Sequence, residues 1–436
     1  MKKIKNILLL TSALIGFSNI SGAQEVKTKP SHTVISDLQI KLTGFGHFQA
    51  AYRNQDGLNR EEKNISANRQ HIAFYNDAAL FADISNKTDE FSYGGKIVLV
   101  PTAKRKGSPS YNGSHLYLES EYGRIEGGSP MSASSNMYMD ASVITSATGG
   151  DWDRYGNLAT EKLKQGKPSA PTFATFAEFF LDSKLVTDID NRPYSTEPGR
   201  AVSYYTPKFE FAQGSNIQIG ISYIPDSSNT GADSPSKNSV RTDKKGISDT
   251  EYFVFDKSVK NALSGGVTIK HSIADGIDLK IGLTGEFGKA SKAQKFNIAD
   301  TTKPVAEYKL KDLRTYNIGT VLTVGNFSYA ASFGSIGKSL TTKEYHKTSE
   351  STIYYSGAVA YKQGPFSTSL IYFHSDQFKN TLDSVTIGTD YKLAPGLMPY
   401  VEISGFNLKG RPEFAPELQK KKTRGTVALI GAKLSL

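Results

Sequence analysis

Apolar and polar residues alternate along this chain in one segment after another. In the first, Leu38, Ile40, Leu42, Gly44, Gly46, Phe48, Ala50 and Tyr52 share one face, and Gln39, Lys41, Thr43, Phe45, His47, Gln49 and Arg53 share the other. A period of two is that of a strand with one apolar and one largely polar face, not of a helix. Ile217, Ile219, Ile221 and Tyr223 repeat the pattern, as do Ile277, Leu279, Ile281 and Leu283 after the tight turn Ala274-Asp275-Gly276. The count is sixteen strands, at roughly 38–53, 72–85, 91–100, 115–120, 124–130, 200–206, 216–225, 258–271, 277–288, 313–324, 327–335, 351–362, 366–374, 384–393, 397–406 and 426–436.

The connections alternate between tight turns and long polar stretches. An even number of strands about ten residues long, with short turns at one end and long loops at the other, is the pattern of an outer-membrane barrel. A closed barrel is also the one sheet that leaves no backbone edge unpaired in lipid. The fold class expected is therefore all-β, a 16-stranded antiparallel transmembrane β-barrel.

Composition agrees with that reading once periodicity is known. Hydrophobic residues make up 38% and the mean hydropathy is −0.38, so average values alone would suggest a soluble protein. No apolar run after Ala23 approaches the ~20 residues of a spanning helix. The 23 Tyr, 23 Phe and 39 Gly fit strands of which half the residues face water.

Lys2, Lys3 and Lys5, then the apolar stretch Ile7 to Phe17, then Ser21-Gly22-Ala23 have the order of a secretory signal. The domains expected are a signal peptide at 1–23, cleaved before Gln24, and a single barrel domain at 24–436, exported to the bacterial outer membrane. The chain has no cysteine, which excludes disulfides and a lipidated cysteine. Removing three lysines lowers the formal charge from +10 to +7. The basic residues are scattered, with no basic helix to concentrate them, so nucleic acid is not an expected partner. Lys420, Lys421, Lys422 and Arg424 form a basic run in the last long connection, read as a solvated loop ahead of a contact with lipid phosphates. The seven histidines show no metal spacing, and no cofactor is expected.

One connection, Met131 to Gly199, is far longer than the rest and carries nine acids against six bases. Long structureless loops in compact domains are usually functional.

Four segments, in order, resemble those of the Gram-negative general porins. Leu118-Glu119-Ser120-Glu121-Tyr122-Gly123-Arg124-Ile125 resembles the turn and strand ahead of the family's third loop, and Ala201-Val202-Ser203-Tyr204-Tyr205-Thr206-Pro207 the strand after it. Asp390-Tyr391-Lys392-Leu393-Ala394-Pro395-Gly396-Leu397 is similar to the penultimate hairpin, and 427–436 to the closing strand. The resemblance implies a sixteen-stranded barrel, usually a homotrimer, set among outer-membrane lipid and lipopolysaccharide. Its long third loop, here about 131–199, would fold inward and face a basic cluster on the wall. The function implied is a water-filled channel for passive diffusion of small hydrophilic solutes and ions, with no enzymatic activity. Ser129 and Ser203 stand where the family often has arginine, and Leu436 replaces the usual terminal phenylalanine.

Selectivity in such a channel comes from radius and fixed charge. By alternation Lys41, Arg53, Lys96, Arg124, Glu126, Lys280 and Glu286 face inward. Lys41, Lys96 and Arg124 are the candidate wall charges, with Arg53 and Glu126 beside them, and Asp140, Asp151 and Asp153 are the candidates on the loop. A substrate-specific channel, a surface adhesin or a barrel enzyme on the same scaffold remain as alternatives.

Overall fold

The structure is a computed structural model describing residues 38–55, 71–100, 110–155, 200–227, 242–246, 251–256, 258–297, 299, 302–346, 351–377, 379–409 and 422–435. The signal segment 1–23, the loop beyond Tyr155 and Leu436 lie outside these. Packing groups Gln39–Leu436 as one unit, which holds every strand.

The first half of the chain supplies β1 (Gln39–Gln55), β2 (Ile72–Lys87), β3 (Phe91–Val100), β4 (Ser110–Ser120), β5 (Gly123–Gly128), β6 (Ala201–Tyr205), β7 (Phe209–Ala212), β8 (Ser215–Asp226), β9 (Thr242–Gly246) and β10 (Glu251–Asp256). The second half supplies β11 (Val259–Ala274), β12 (Ile277–Ala290), β13 (Lys292–Asn297), β14 (Ala306–Lys309), β15 (Leu313–Val324), β16 (Phe327–Gly337), β17 (Thr352–Gln363), β18 (Phe366–Gln377), β19 (Asn380–Tyr391), β20 (Leu397–Lys409) and β21 (Lys422–Ser435).

Seventeen of these form one antiparallel sheet, which closes where β21 pairs with β1 from Phe45↔Ser435 to Gln55↔Gly425. β6 and β7 both pair with β8 and are two halves of one stave, so the barrel has sixteen staves. The stave is interrupted at Pro207, which cannot donate to the ladder.

Alternation sorts the two faces. On β8, Ile219, Ile221 and Tyr223 are exposed while Gly220, Ser222 and Ile224 are buried. Exposed apolar residues continue around the barrel, with aromatic rings toward both edges of the band. Phe327, Phe366 and Tyr391 stand at the tight-turn end, and Tyr316, Tyr355 and Tyr372 toward the long-loop end. This is the lipid-facing surface of a membrane barrel. The opposite, enclosed face is rich in Ser, Thr and Gly, but not uniformly polar. Toward the long-loop end it carries a buried apolar cluster that includes Tyr354, Leu382, Leu408 and Val427.

The long connections hold more structure than their composition suggests. β9, β10, β13 and β14 form a second, four-stranded sheet, in which β10 of one connection pairs with β13 of the next. Phe253, Phe255, Ala293 and Leu310 make its buried core. By contrast β18 and β19 extend until only residues 378 and 379 separate them.

Candidate functional site

The site is the enclosed face of the barrel together with residues 131–155. That segment begins with a short helix, α1 (Ala133–Asn136), capped by Ser132, whose side chain accepts the Ser135 amide. Two 3-10 turns follow, at Ala141–Ile144 and Asp151–Arg154.

Its backbone amides land one after another on oxygen atoms of the enclosed wall. Ala133 N donates to Ser222 Oγ at 2.8 Å and Ser134 N to Ser264 Oγ at 3.1 Å. Farther along, Ala141 N reaches Ser356 Oγ at 3.2 Å and Ser146 N reaches Ser369 Oγ at 2.7 Å. Ala147 N then donates to Asp390 at 2.8 Å, and Thr148 N and Gly149 N to the Glu402 carboxylate at 2.9 and 3.0 Å. The acceptors belong to β8, β11, β17, β18, β19 and β20, so the segment follows the wall around much of the barrel. Each neutral bond contributes about 1 kcal/mol net, and those to carboxylates about twice that.

Close approach requires bare wall as well as acceptors. A Cβ at Gly220 would lie 2.7 Å from Met137 Sδ, and one at Gly266 would lie 2.9 Å from Met137 Cβ. At Gly282 it would lie 2.9 Å from Met139 Cβ, and at Gly319 it would overlap the Met139 carbonyl. Four glycines on β8, β11, β12 and β15 therefore form a track in which residues 137–139 lie.

The far end is pinned differently. Trp152, 3% exposed, stacks on Phe406 with ring centroids 4.3 Å apart. Arg53, 4% exposed, donates from Nη1 to the Tyr155 carbonyl at 2.7 Å. Lys433 donates to the Ala147 carbonyl.

The candidate charges fall into two groups. Glu286 is fully buried and accepts the Ser134 hydroxyl at 2.7 Å, so with Arg53 it holds the segment. Asp140 caps its own turn, accepting Ser142 N at 2.9 Å. Asp151 lies 3.5 Å from Gln49 Nε2, and Asp153 is half-buried in the second turn.

Lys41, Lys96, Arg124 and Glu126 instead share the enclosed face of β1–β5, the part of the wall to which the described amides do not bond. Lys41 is in register with Asp83, and Asp83 with Lys96. Tyr117 donates its hydroxyl to Asp83 at 3.1 Å. Arg124 pairs with Glu126 at 2.7 Å and with Glu119 at 3.3 Å, its guanidinium 3.9 Å from the Tyr117 ring centroid. Lys280 is exposed on β12. Ser203, where the family often has arginine, is buried and bonded to Ser222 at 2.7 Å.

Sequence reasoning missed Asp390, Glu402 and the serines that carry the segment. Glu402, between Val401 and Ile403, did carry the inward signal of alternation. No group of three His, Asp or Glu side chains that could hold a metal occurs among the described residues.

A closed sixteen-stave barrel with an apolar belt and a largely polar enclosed wall is the architecture of a transmembrane channel. Residues 10–411 match the family model of the Gram-negative porins, and the chain belongs to that family. It is an outer-membrane porin. An uncharacterized protein of Rickettsia felis is 41% identical over 98% of this chain and 99% of its own length, and one of Rickettsia bellii is equally similar. Among solved structures, the anion-selective porin from Comamonas acidovorans superposes with a TM-score of 0.53 at 12% identity, covering 92% of this chain and all of its own. Salmonella typhi OmpF, in complex with daunomycin, gives 0.52 at 12% identity, covering 92% of this chain and 98% of its own. At that identity the likeness is one of fold.

Proposed function

We propose that this chain forms a general-diffusion pore for small hydrophilic solutes and ions, works as a homotrimer, and reaches the outer membrane after cleavage of residues 1–23. The observation that carries the reading is the division of the enclosed wall. The backbone amides of residues 131–155 bond along β8 to β20, while Lys41 is exposed and Lys96 and Arg124 are half-exposed on the enclosed face of β1–β5. Narrowing by a bonded segment sets the size limit, and the remaining wall sets the charge preference.

That preference is weak. Lys41 and Lys96 flank Asp83, and Arg124 sits between Glu119 and Glu126, so no face of one sign develops. The anion selectivity named for the Comamonas acidovorans porin therefore does not carry over. Proteoliposome swelling in neutral sugars of rising mass tests the proposal. Rates that fall smoothly with mass and do not saturate with concentration are expected; saturation by one sugar would indicate a substrate-specific channel instead.

A further inference from the structure

One aromatic ring breaks the polar side of the first strand. On the enclosed face of β1, Lys41, Thr43, His47 and Gln49 are polar, and Phe45 stands among them. Phe81 of β2 joins it on the same face. The register sets Phe45 opposite Ala79, and Phe81 between Thr43 and Val98. The two ring centroids are 6.5 Å apart with planes inclined at 31°, so neither ring covers the other. Both keep part of their surface exposed on the enclosed face. Elsewhere that face is rich in Ser, Thr and Gly, and apolar area left toward water is unfavourable. Asp151 reaches Gln49, four residues farther along β1, so the rings lie on the tight-turn side of the bonded segment.

Next to the rings, toward the tight turns, Lys41, Asp83 and Lys96 are in register on three adjacent strands. Adjacent strands are about 4.8 Å apart, and the two residues from Asp83 to Phe81 span about 7 Å along the strand. The charges alternate in sign, yet among the described residues none of the three closes an ion pair. Asp83 accepts the Tyr117 hydroxyl at 3.1 Å, and Lys96 Nζ lies 5.3 Å from the centroid of the Phe81 ring. Arg124 differs, because its charge already meets both Glu119 and Glu126.

We propose that this wall carries a binding site for aromatic α-amino acids in transit. The ring of the solute lies against Phe45 and Phe81, its carboxylate meets the lysines, and its ammonium meets Asp83. The charge pattern selects the class. An aromatic acid without an ammonium would set its carboxylate beside Asp83 with nothing to offset the repulsion. An aromatic amine would set its cation between two lysines. A zwitterion satisfies the alternating row and holds its ring one methylene away, toward Phe81. An aliphatic amino acid fits the same charges but loses the attraction of ring for ring and of lysine for ring. The site lies open on one side of the passage, so it delays such solutes while neutral sugars still diffuse past. The inference deepens the reading of an open pore and rests on it.

The test is single-channel recording of the folded 24–436 chain in planar bilayers, near neutral pH. L-phenylalanine, L-alanine, 3-phenylpropanoate and phenethylamine are added in turn. Current noise that saturates with L-phenylalanine is expected, at a half-saturating concentration about fivefold below that of any other probe. A Phe45→Leu/Phe81→Leu variant, which keeps apolar bulk without rings, should raise that concentration about threefold. Asp83→Asn should reverse the ranking, so that 3-phenylpropanoate is held better than L-phenylalanine. Lys362→Gln, removing an exposed cation at the tight-turn end of β17, should change neither. Equal noise from L-phenylalanine and L-alanine, an unchanged ranking in Asp83→Asn, or equal loss in Lys362→Gln overturns the site. The same records separate the two readings: conducting barrels with no aromatic preference sink this site alone, and folded barrels that never conduct sink the pore reading and the site with it.

Discussion

Glu402 on β20 holds Thr148 twice, accepting its amide at 2.9 Å and its hydroxyl at 2.7 Å. The same carboxylate takes the Gly149 amide at 3.0 Å. One wall acid thus fixes the backbone where the segment leaves the serine-lined staves for the aromatic contact at Trp152.

Glu402→Gln removes the charge and one acceptor oxygen while preserving shape. The loss is about 2 kcal/mol of anchoring, from hydrogen bonds to a charged group. Barrel stability in detergent should hardly change, because the strands keep their ladders. Current noise should rise, with brief partial closures about tenfold more frequent than in the wild type. Unchanged noise in single-channel records would show that Glu402 does not restrain the segment.

The chain has no cysteine, so an introduced pair reports without background. Ser264 Oγ lies 2.6 Å from Ser134 Oγ. A Ser134→Cys/Ser264→Cys variant should form a disulfide under mild oxidation, read as a mobility shift that thiol reduces. A control pair with Ser134→Cys and Ser384→Cys, on β19, should not.

Asp83 stands between Lys41 and Lys96. Asp83→Asn leaves two neighbouring cations on the wall without their common acid. An unbalanced unit charge at ~4 Å is worth about 1 kcal/mol in water. Anion over cation permeability should therefore rise roughly two- to fivefold, measured as a reversal potential in a KCl gradient. The shift should shrink at high salt, as screening requires.

In the outer sheet, Lys292 and then Gln294 hydrogen-bond Glu307 and hold its carboxyl below the usual carboxylate range. A depressed folded value means the contribution is present above the unfolded carboxylate range and is lost as pH falls through the depressed value. The pair is exposed, so the effect on the whole barrel is small. Amide exchange of β13–β14 should quicken as the pH drops through that range, and Glu307→Gln should remove the pH dependence.

Sixteen staves were legible because lipid on one side and water on the other write a period of two into every strand, as in Ile217–Tyr223. The seat of residues 131–155 was not. It consists of Ser222, Ser264, Gly282, Gly319 and their neighbours, small residues whose alternation says inward but not what they touch. Register between partners more than a hundred residues apart, such as Ser146 and Ser369, is set by closure of the whole barrel. The outer sheet escaped for a related reason: β10 and β13 are six residues each, and they pair between two connections rather than within one. Lys422 and Arg424 were read as loop, yet they belong to β21, because strand pairing with β20 continues to Lys409↔Lys422.

The most direct test of the account is single-channel conductance of the folded 24–436 chain in a planar bilayer under a KCl gradient. Large, ohmic steps arriving in threes, with a reversal potential near zero, are the predicted result. Correctly folded barrels that give no steps, or steps with strong selectivity for one sign of ion, would contradict it.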